Sequence, residues 1–416
     1  MRITRRTLTT AVAAVAALTS VAACGGDSGS SGASGTSAKG GTYTFWDPYP
    51  QFDTSSAWGK LVSRCGTEAG VEVKRTAFDT SDLGNKALLA AQQGNSPDVM
   101  LVDNPVVSTM VEAGILNKAG DLGLDTKRIQ KNILGAGTID DEAYGVPIGA
   151  NTLALYYNKE LLAAAHVDPA GIKDWASLNA ALKKVKAAGK KGITFSAINT
   201  EEGTFQFLPW FWGAKGDLTE LDSAGGQAAL SLWKSWVDDG YAPKDVLQNT
   251  QTTSWQQFAT GDYAFGENGT WQLGNAEKAG FDYGVISIPA RDGGAAPVPT
   301  GGEFVTVPVQ KDSARYDVSK KIVTCLISSD NLLTTDNTLA YVAPVAEVQK
   351  QQVAADPRLK PWIDAVAAAR GRTSGGLGTK YPTISEPLWT AVQAALSGTR
   401  SPQDALGAAQ DAAGKN

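Results

Sequence analysis

Residues 71–105 read VEVKRTAFDTSDLGNKALLAAQQGNSPDVMLVDNP, and the fold class turns on them. Val71 to Phe78 has strand character, and Leu83 to Gln93 is an Ala- and Leu-rich helix closed by Gly94. Pro97-Asp98 leads into Val99-Met100-Leu101-Val102, an apolar run with the length of a buried strand, and Asp103-Asn104-Pro105 stops it. Val106 to Ala113 is again helical, with Gly114 at its end. Strands alternating with helices predict an α/β protein built on parallel sheet.

The same alternation extends in both directions. Upstream, Thr42 to Trp46 predicts a strand that runs into the loop Asp47-Pro48-Tyr49-Pro50. Ser55 to Thr67 predicts a helix with Trp58, Leu61, Val62 and Cys65 on one face. Downstream, Ala150–Asn158 reads as extended, Trp175 to Ala188 as a helix opened by Asp174, and Ile193–Ala197 as a strand. Gly225–Asp239 is an amphipathic helix whose Trp233 and Trp236 belong to the core. Tyr263–Gly266, Phe281–Pro289 and Gly301–Val309 read as strands, and the chain after Ala314 is mainly helical.

At 416 residues the chain is long enough for two or three domain-sized units. Its 43% hydrophobic and 19% charged composition supports a large folded core. The net charge of −5 argues against nucleic acid as a partner, because phosphate binding needs a basic surface. One histidine and three cysteines exclude a multi-histidine or cysteine-rich metal site, and no cofactor is expected.

Residues 1–23 form a processing segment. Arg2, Arg5 and Arg6 make a basic start, Leu8–Leu18 is apolar but too short to span a bilayer, and Val21-Ala22-Ala23-Cys24 resembles a bacterial lipobox. That resemblance implies cleavage before Cys24 and lipidation of it. Arg5-Arg6 is also similar to a twin-arginine export signal, so the export route stays open. Residues 24–40, rich in Gly, Ser, Ala and Thr, read as a flexible tether. The whole predicts an acidic body lipid-anchored on the extracellular face of the cytoplasmic membrane.

His166, the sole histidine, lies in Ala-Ala-Ala-His-Val-Asp-Pro, where a helix end explains it without catalysis. No phosphate-binding glycine loop is present. Glycoside hydrolysis needs only two carboxylates, and Asp47, Asp103, Glu202, Glu267 and Glu303 are candidates that spacing cannot pair. Against this, several loops place aromatics and short polar groups directly after strands: Trp46-Asp47, Asp103-Asn104, Asn268-Gly269-Thr270-Trp271 and Gly301-Gly302-Glu303. In α/β sheets ligands sit beyond strand ends. A sugar suits such groups, its C–H faces on indole rings and its hydroxyls on carboxylates.

The chain resembles the extracellular solute-binding proteins of carbohydrate ATP-binding-cassette importers, the group that includes maltose-binding protein. The matching residues run in order through the body: Thr44-Phe45-Trp46, Gln92-Gln93-Gly94-Asn95-Ser96-Pro97-Asp98-Val99, Tyr144-Gly145-Val146-Pro147, and Leu155-Tyr156-Tyr157-Asn158-Lys159. Phe258 to Ala264, Asn268-Gly269-Thr270-Trp271, Asp282-Tyr283-Gly284-Val285, Gly301-Gly302, Asp356-Pro357-Arg358 and Trp389 continue it. Asp140-Asp141-Glu142 and Phe265-Gly266-Glu267 depart from the family pattern, the second by placing a charge near the expected sugar site.

The resemblance implies a two-lobed α/β fold of the periplasmic-binding-protein type, with a ligand cleft between lobes and several hinge crossings. Crossings are expected near Gly149–Thr152, Gly302–Glu303 and Leu339–Ala343, giving an N-lobe of 41–149 plus 303–341 and a C-lobe of 150–302 plus 342–416. It implies a monomer that binds an oligosaccharide without breaking it and delivers it to membrane permease subunits. Trp271 is expected to stack on a sugar face, with Trp46 and Trp210 or Trp212 as further platforms. Asp47, Asp103 and Glu303 are expected to accept hydroxyl bonds, with Asn268 and Gly302 as secondary contacts and Trp389 divided between site and core. Export favours a disulfide between Cys65 and Cys325, both on N-lobe helices of that map. Two separately buried thiols are the other reading.

Overall fold

A computed structural model describes residues 42–414. The signal segment, the lipobox with Cys24 and the whole tether lie outside the described residues. Among the described residues eleven strands follow in chain order: β1 (Tyr43–Asp47), β2 (Val73–Ala77), β3 (Val99–Asp103), β4 (Thr138–Ile139), β5 (Glu142–Ala143), β6 (Val146–Pro147), β7 (Leu153–Asn158), β8 (Lys191–Thr194), β9 (Tyr263–Gly269), β10 (Tyr283–Ile286) and β11 (Glu303–Thr306). One sheet has the order β2-β1-β3-β11-β6, a second β10-β7-β9-β8, and β4-β5 is a small hairpin.

The sheets are mixed, which corrects the expectation of parallel architecture. β1 runs parallel to β2 and β3, but β11 is antiparallel to β3 and β6. In the second sheet β7 is antiparallel to β10 and β9, while β8 is parallel to β9. The consequence for the site is direct. Because β11 runs against β3, its first residue, Glu303, lies beside the last residue of β3, Asp103.

The apolar run Val99–Val102 is buried on both faces, as a central strand covered by helices requires. Val99 and Leu101 join one core cluster with Phe45, Trp58 and Val305, and Met100 and Val102 join another with Leu83, Val107 and Phe304. β7 repeats this: Leu153 and Leu155 face a large cluster with Trp210 and Trp233, while Ala154 and Tyr156 face Trp255 and Phe258. Each half of the molecule therefore has its own sheet and its own core.

Helix Ala57–Ala69 starts where the Ser56 side chain accepts from the Gly59 N–H, and ends at Gly70 with φ +85°. Its buried Cys65 is disulfide-bonded to Cys325 on helix Tyr316–Leu326, with Cα atoms 5.6 Å apart. Both helices pack in the first half.

The chain passes between the halves next to a small knot of backbone pairing. Ala150 and Val342 exchange N–H···O bonds of 2.8 Å in both directions, and Asn151 pairs with Gly301 at 3.1 and 2.9 Å. Gly302 has φ +112°, and a Cβ there would lie 2.5 Å from the Gly149 carbonyl oxygen, so glycine is required. The third expected crossing needs a correction: Val345 and Val348, beyond residue 341, still pack in the first half's core. Gln349 and Gln352 hold helix Ala346–Ala355 there through the Ala343 and Tyr341 carbonyls, both at 2.7 Å. Among the described residues no helix is long and apolar enough to cross a membrane.

Candidate functional site

The site is assembled from strand ends at the junction. Asp103 ends β3 and caps helix Asn104–Glu112, its carboxylate accepting from the Asn104 N–H at 2.9 Å. Glu303, opposite it, is 7% exposed and accepts from the hydroxyls of Tyr49 at 2.7 Å and Tyr341 at 3.3 Å. Burial pushes the Glu303 carboxyl up to about 7, and the charge of Asp103 adds to the shift. Gly302 turns the chain into β11, and its carbonyl oxygen accepts from Asn104 N at 3.1 Å.

Trp271 follows β9 in a short 3-10 turn, half-buried. It packs against the main cores of both halves and lies 6.3 Å, centroid to centroid, from Phe205. Phe205 in turn carries the Arg372 guanidinium over its ring at 4.7 Å. Arg372 is 2% exposed and donates to Glu201 at 2.8 Å, Asp103 at 3.0 Å and Asn104 Oδ1 at 2.7 Å. Burial works against its charge, but Asp103 and Glu201 outweigh that and raise its pKa. Glu201, in the first turn of helix Glu201–Gly213, also accepts from the Tyr381 hydroxyl at 2.6 Å and from Ser385. Burial raises the pKa of its neighbour Glu202, with Asp103 and Asp79 adding from the first half.

Asp103, Gly302 and Glu303 thus lie together, and Trp271 is linked to them through Phe205 and Arg372. Trp46 stands nearby on β1, half-buried and edge-on to Phe78 at 4.9 Å. Four expected site residues are used elsewhere, and each is a correction. Asp47 is fully buried: Arg75 binds it with both ends of its guanidinium, and Trp58 Nε1 donates to it at 3.0 Å. That ion pair ties β1 to β2 and leaves the carboxylate no ligand to face. Trp210 is fully buried, with Nε1 donating to Glu267 at 2.8 Å and its ring against Trp236 at 4.9 Å. Trp212 is also buried in that core, with Arg370 over its ring. The helix carrying both turns its aromatic run inward. Asn268 spends its amide on the Gln251 carbonyl and its oxygen on the Gly269 N–H. Glu267 is buried with Trp210 as its donor, and burial raises its pKa well above the usual range.

The sequence reading missed Arg372, Glu201, Phe205, Tyr49 and Tyr341. Arg372 had one visible signal, a basic residue two positions after Arg370 inside Gly371-Arg372-Thr373-Ser374-Gly375-Gly376. A cation in a glycine-rich loop has no solvated helix face to explain it. Among the described residues no group of three or more His, Cys, Asp and Glu is placed to hold a metal ion.

Comparison with known proteins agrees with this architecture. The family described as bacterial extracellular solute-binding protein matches residues 60–361. A Brucella abortus (strain 2308) binding protein is 27% identical over 253 residues, 57% of this chain and 60% of its own length. The chain thus spans about three fifths of that relative. The maltooligosaccharide ABC transporter solute-binding lipoprotein of Streptococcus pneumoniae R6 is 26% identical over 63% of each chain. The galactooligosaccharide-binding protein of Bacillus subtilis is 22% identical over 91% of this chain and 90% of its own. Among solved structures, the GacH receptor of Streptomyces glaucescens, studied unliganded and with acarbose, has a TM-score of 0.76 at 25% identity, covering 91% of this chain and 98% of its own. A solute-binding protein from Thermotoga lettingae bound to α-D-tagatose has a TM-score of 0.79 at 22% identity, covering 91% and 99%. With two halves, each with its own sheet and core, and a family match over most of its length, this chain belongs to the bacterial extracellular solute-binding protein family.

Proposed function

We propose that the protein captures an oligosaccharide between its two halves and delivers it to the permease of an ATP-binding-cassette importer. The observation that carries this is Trp271: a half-buried indole packed on both cores, with Phe205 at its side, where Phe205 carries Arg372 and Arg372 bonds Asp103, the register partner of Glu303. A sugar ring stacked there would present its hydroxyls to acceptors of the first half while resting on an aromatic of the second. A ligand touching both halves favours the closed arrangement, which is the basis of capture by closure. Trp46 extends the aromatic surface at the rim, and Gly302 lets the chain turn close to the ligand. The maltooligosaccharide- and galactooligosaccharide-binding relatives support the sugar class. On the lipobox reading of Cys24 the protein is lipid-anchored outside the cytoplasmic membrane, and on the family resemblance it acts as a monomer.

In this reading the sugar leaves unchanged. Glycosidases place their two carboxyls on either side of the bond. Asp103 and Glu303 stand side by side on adjacent strands of one sheet, so they form one wall. The test is calorimetric titration of the Cys24→Ser protein with maltotetraose, galactotetraose and chitotetraose, with chromatography of the sugars after prolonged incubation. Saturable binding of an intact oligomer is expected. Shorter products in proportion to protein concentration would make it a glycosidase, and absence of binding across the series would remove the sugar class.

A further inference from the structure

We propose that Arg372 is a clasp between the two halves, setting how readily the ligand-free protein closes and through that its affinity, without being a sugar-contacting group. This rests on the cleft reading above. On the second-half side Arg372 is fixed. Its Nη1 bonds Glu201 at 2.8 Å, Tyr381 and Ser385 bond the same carboxylate, and the guanidinium lies on Phe205. Phe205 and Tyr381 both belong to the second half's core. From this base Nη2 reaches Asp103 and Asn104, at the end of β3 in the first sheet.

The charges show why a cation is needed here. The facing surfaces are acidic on both sides: Asp79 and Asp103 on the first half, Glu201 and Glu202 on the second. Bringing them together without a cation would set like charges against each other in a poorly solvated space, which opposes closure. Arg372 stands between Asp103 and Glu201 with 2% exposure, so dissolved salt screens it little. A guanidinium can bond two carboxylates at once through separate nitrogens, which a lysine ammonium on a flexible stem does less well. Neutral bonds cross nearby, Thr373 Oγ1 to the Ala136 carbonyl at 3.2 Å and Asn104 Nδ2 to the Thr300 carbonyl at 2.9 Å. They give the contact its register, and the clasp gives it its charge balance.

If closed molecules are the ones that hold ligand, the apparent dissociation constant scales inversely with the closed fraction. Losing the clasp therefore weakens binding even though no sugar contact is removed. The experiment uses the Cys24→Ser protein with spin labels on cysteines at exposed Asn85, on helix Thr80–Gln92, and exposed Gln256, on helix Gln251–Ala259. Distances are read by double electron–electron resonance with and without maltotetraose. Arg372→Met is expected to lengthen or broaden the ligand-free distance. Saturating maltotetraose should restore the native distance, with the dissociation constant raised about tenfold or more. Asp103→Asn, which keeps the helix cap and leaves Arg372–Glu201 intact, should shift the ligand-free distance the same way. It decides the matter if Arg372→Met fails to fold. An unchanged ligand-free distance in a folded variant overturns the clasp and leaves Arg372 a stabilising residue. So does an Arg372→Met protein with the native distance but no affinity. A lengthened distance in a protein whose native form binds no oligosaccharide supports the clasp and removes the sugar reading alone.

Discussion

Glu303 stands directly opposite Asp103 across the β3–β11 ladder, so two carboxyls from residues 200 positions apart share one strand end. The more buried of the two, Glu303, is pushed up to about 7, chiefly by burial and next by Asp103. Its protonated form is favoured in the folded state. Its contribution to stability is therefore complete below its unfolded value of about 4.3 and is lost as pH rises through 7. Glu303→Gln keeps the shape and an acceptor for Tyr49 but removes this titration. The stability advantage of the native protein over the variant should fall by up to about 3 kcal/mol between pH 4.5 and 8. Urea unfolding across that range checks it, and two parallel curves would count against the burial argument.

Trp271 and Trp210 should separate binding from folding. Trp271→Ala is expected to weaken oligosaccharide binding by about 1–3 kcal/mol with the fold retained. Trp210→Ala, which opens a cavity in the second half's core and leaves Glu267 without its donor, should cost about 3–5 kcal/mol of stability. Calorimetric titration and thermal unfolding of both variants are the comparison. Equal affinity in a folded Trp271→Ala would remove that residue from the site.

Asp47 makes the opposite case to Asp103. Removing its carboxylate leaves the guanidinium of Arg75, whose side chain is 10% exposed, with the Tyr49 and Phe52 carbonyls but without its counter-charge. Asp47→Ala should therefore lose about 3–5 kcal/mol of stability, while the fraction that remains folded binds sugar with unchanged affinity. A large affinity change in folded Asp47→Ala would return Asp47 to the binding site.

The Cys65–Cys325 disulfide links residues 260 apart in sequence, both on helices of the first half. The chain-entropy model gives roughly 5–6 kcal/mol as the upper bound of its contribution. Replacing both cysteines by serine should lower the urea midpoint markedly yet leave sugar affinity within about twofold, because the bond does not cross the cleft. Loss of affinity in the folded double variant would show that the bond shapes the site.

What the sequence determined by itself was the set of local elements and the order in which they come. The apolar run Val99–Val102 has the length of a strand covered on both faces, and Asp174 marks a helix start because its side chain suits that position. Periodicity also placed Trp233 and Trp236 in the core. It did not distinguish Asp47 from Asp103, since each ends a strand of the same sheet with the same residue type. Asp47 is claimed by Arg75, 28 residues away, and Asp103 by Arg372, 269 away. Likewise Trp271, expected to stack on a sugar, and Trp210, expected with Trp212 as an alternative further platform, part only in the tertiary structure: the helix Glu201–Gly213 turns Trp210 into a core, and the strand end of β9 leaves Trp271 packed on two cores. The physical reason is one of range. Backbone preference and burial pattern act over a few residues and are written locally, whereas the partner of a charged or aromatic side chain is set by contacts between distant segments. Those contacts exist only once both sheets are assembled and the chain has passed between them.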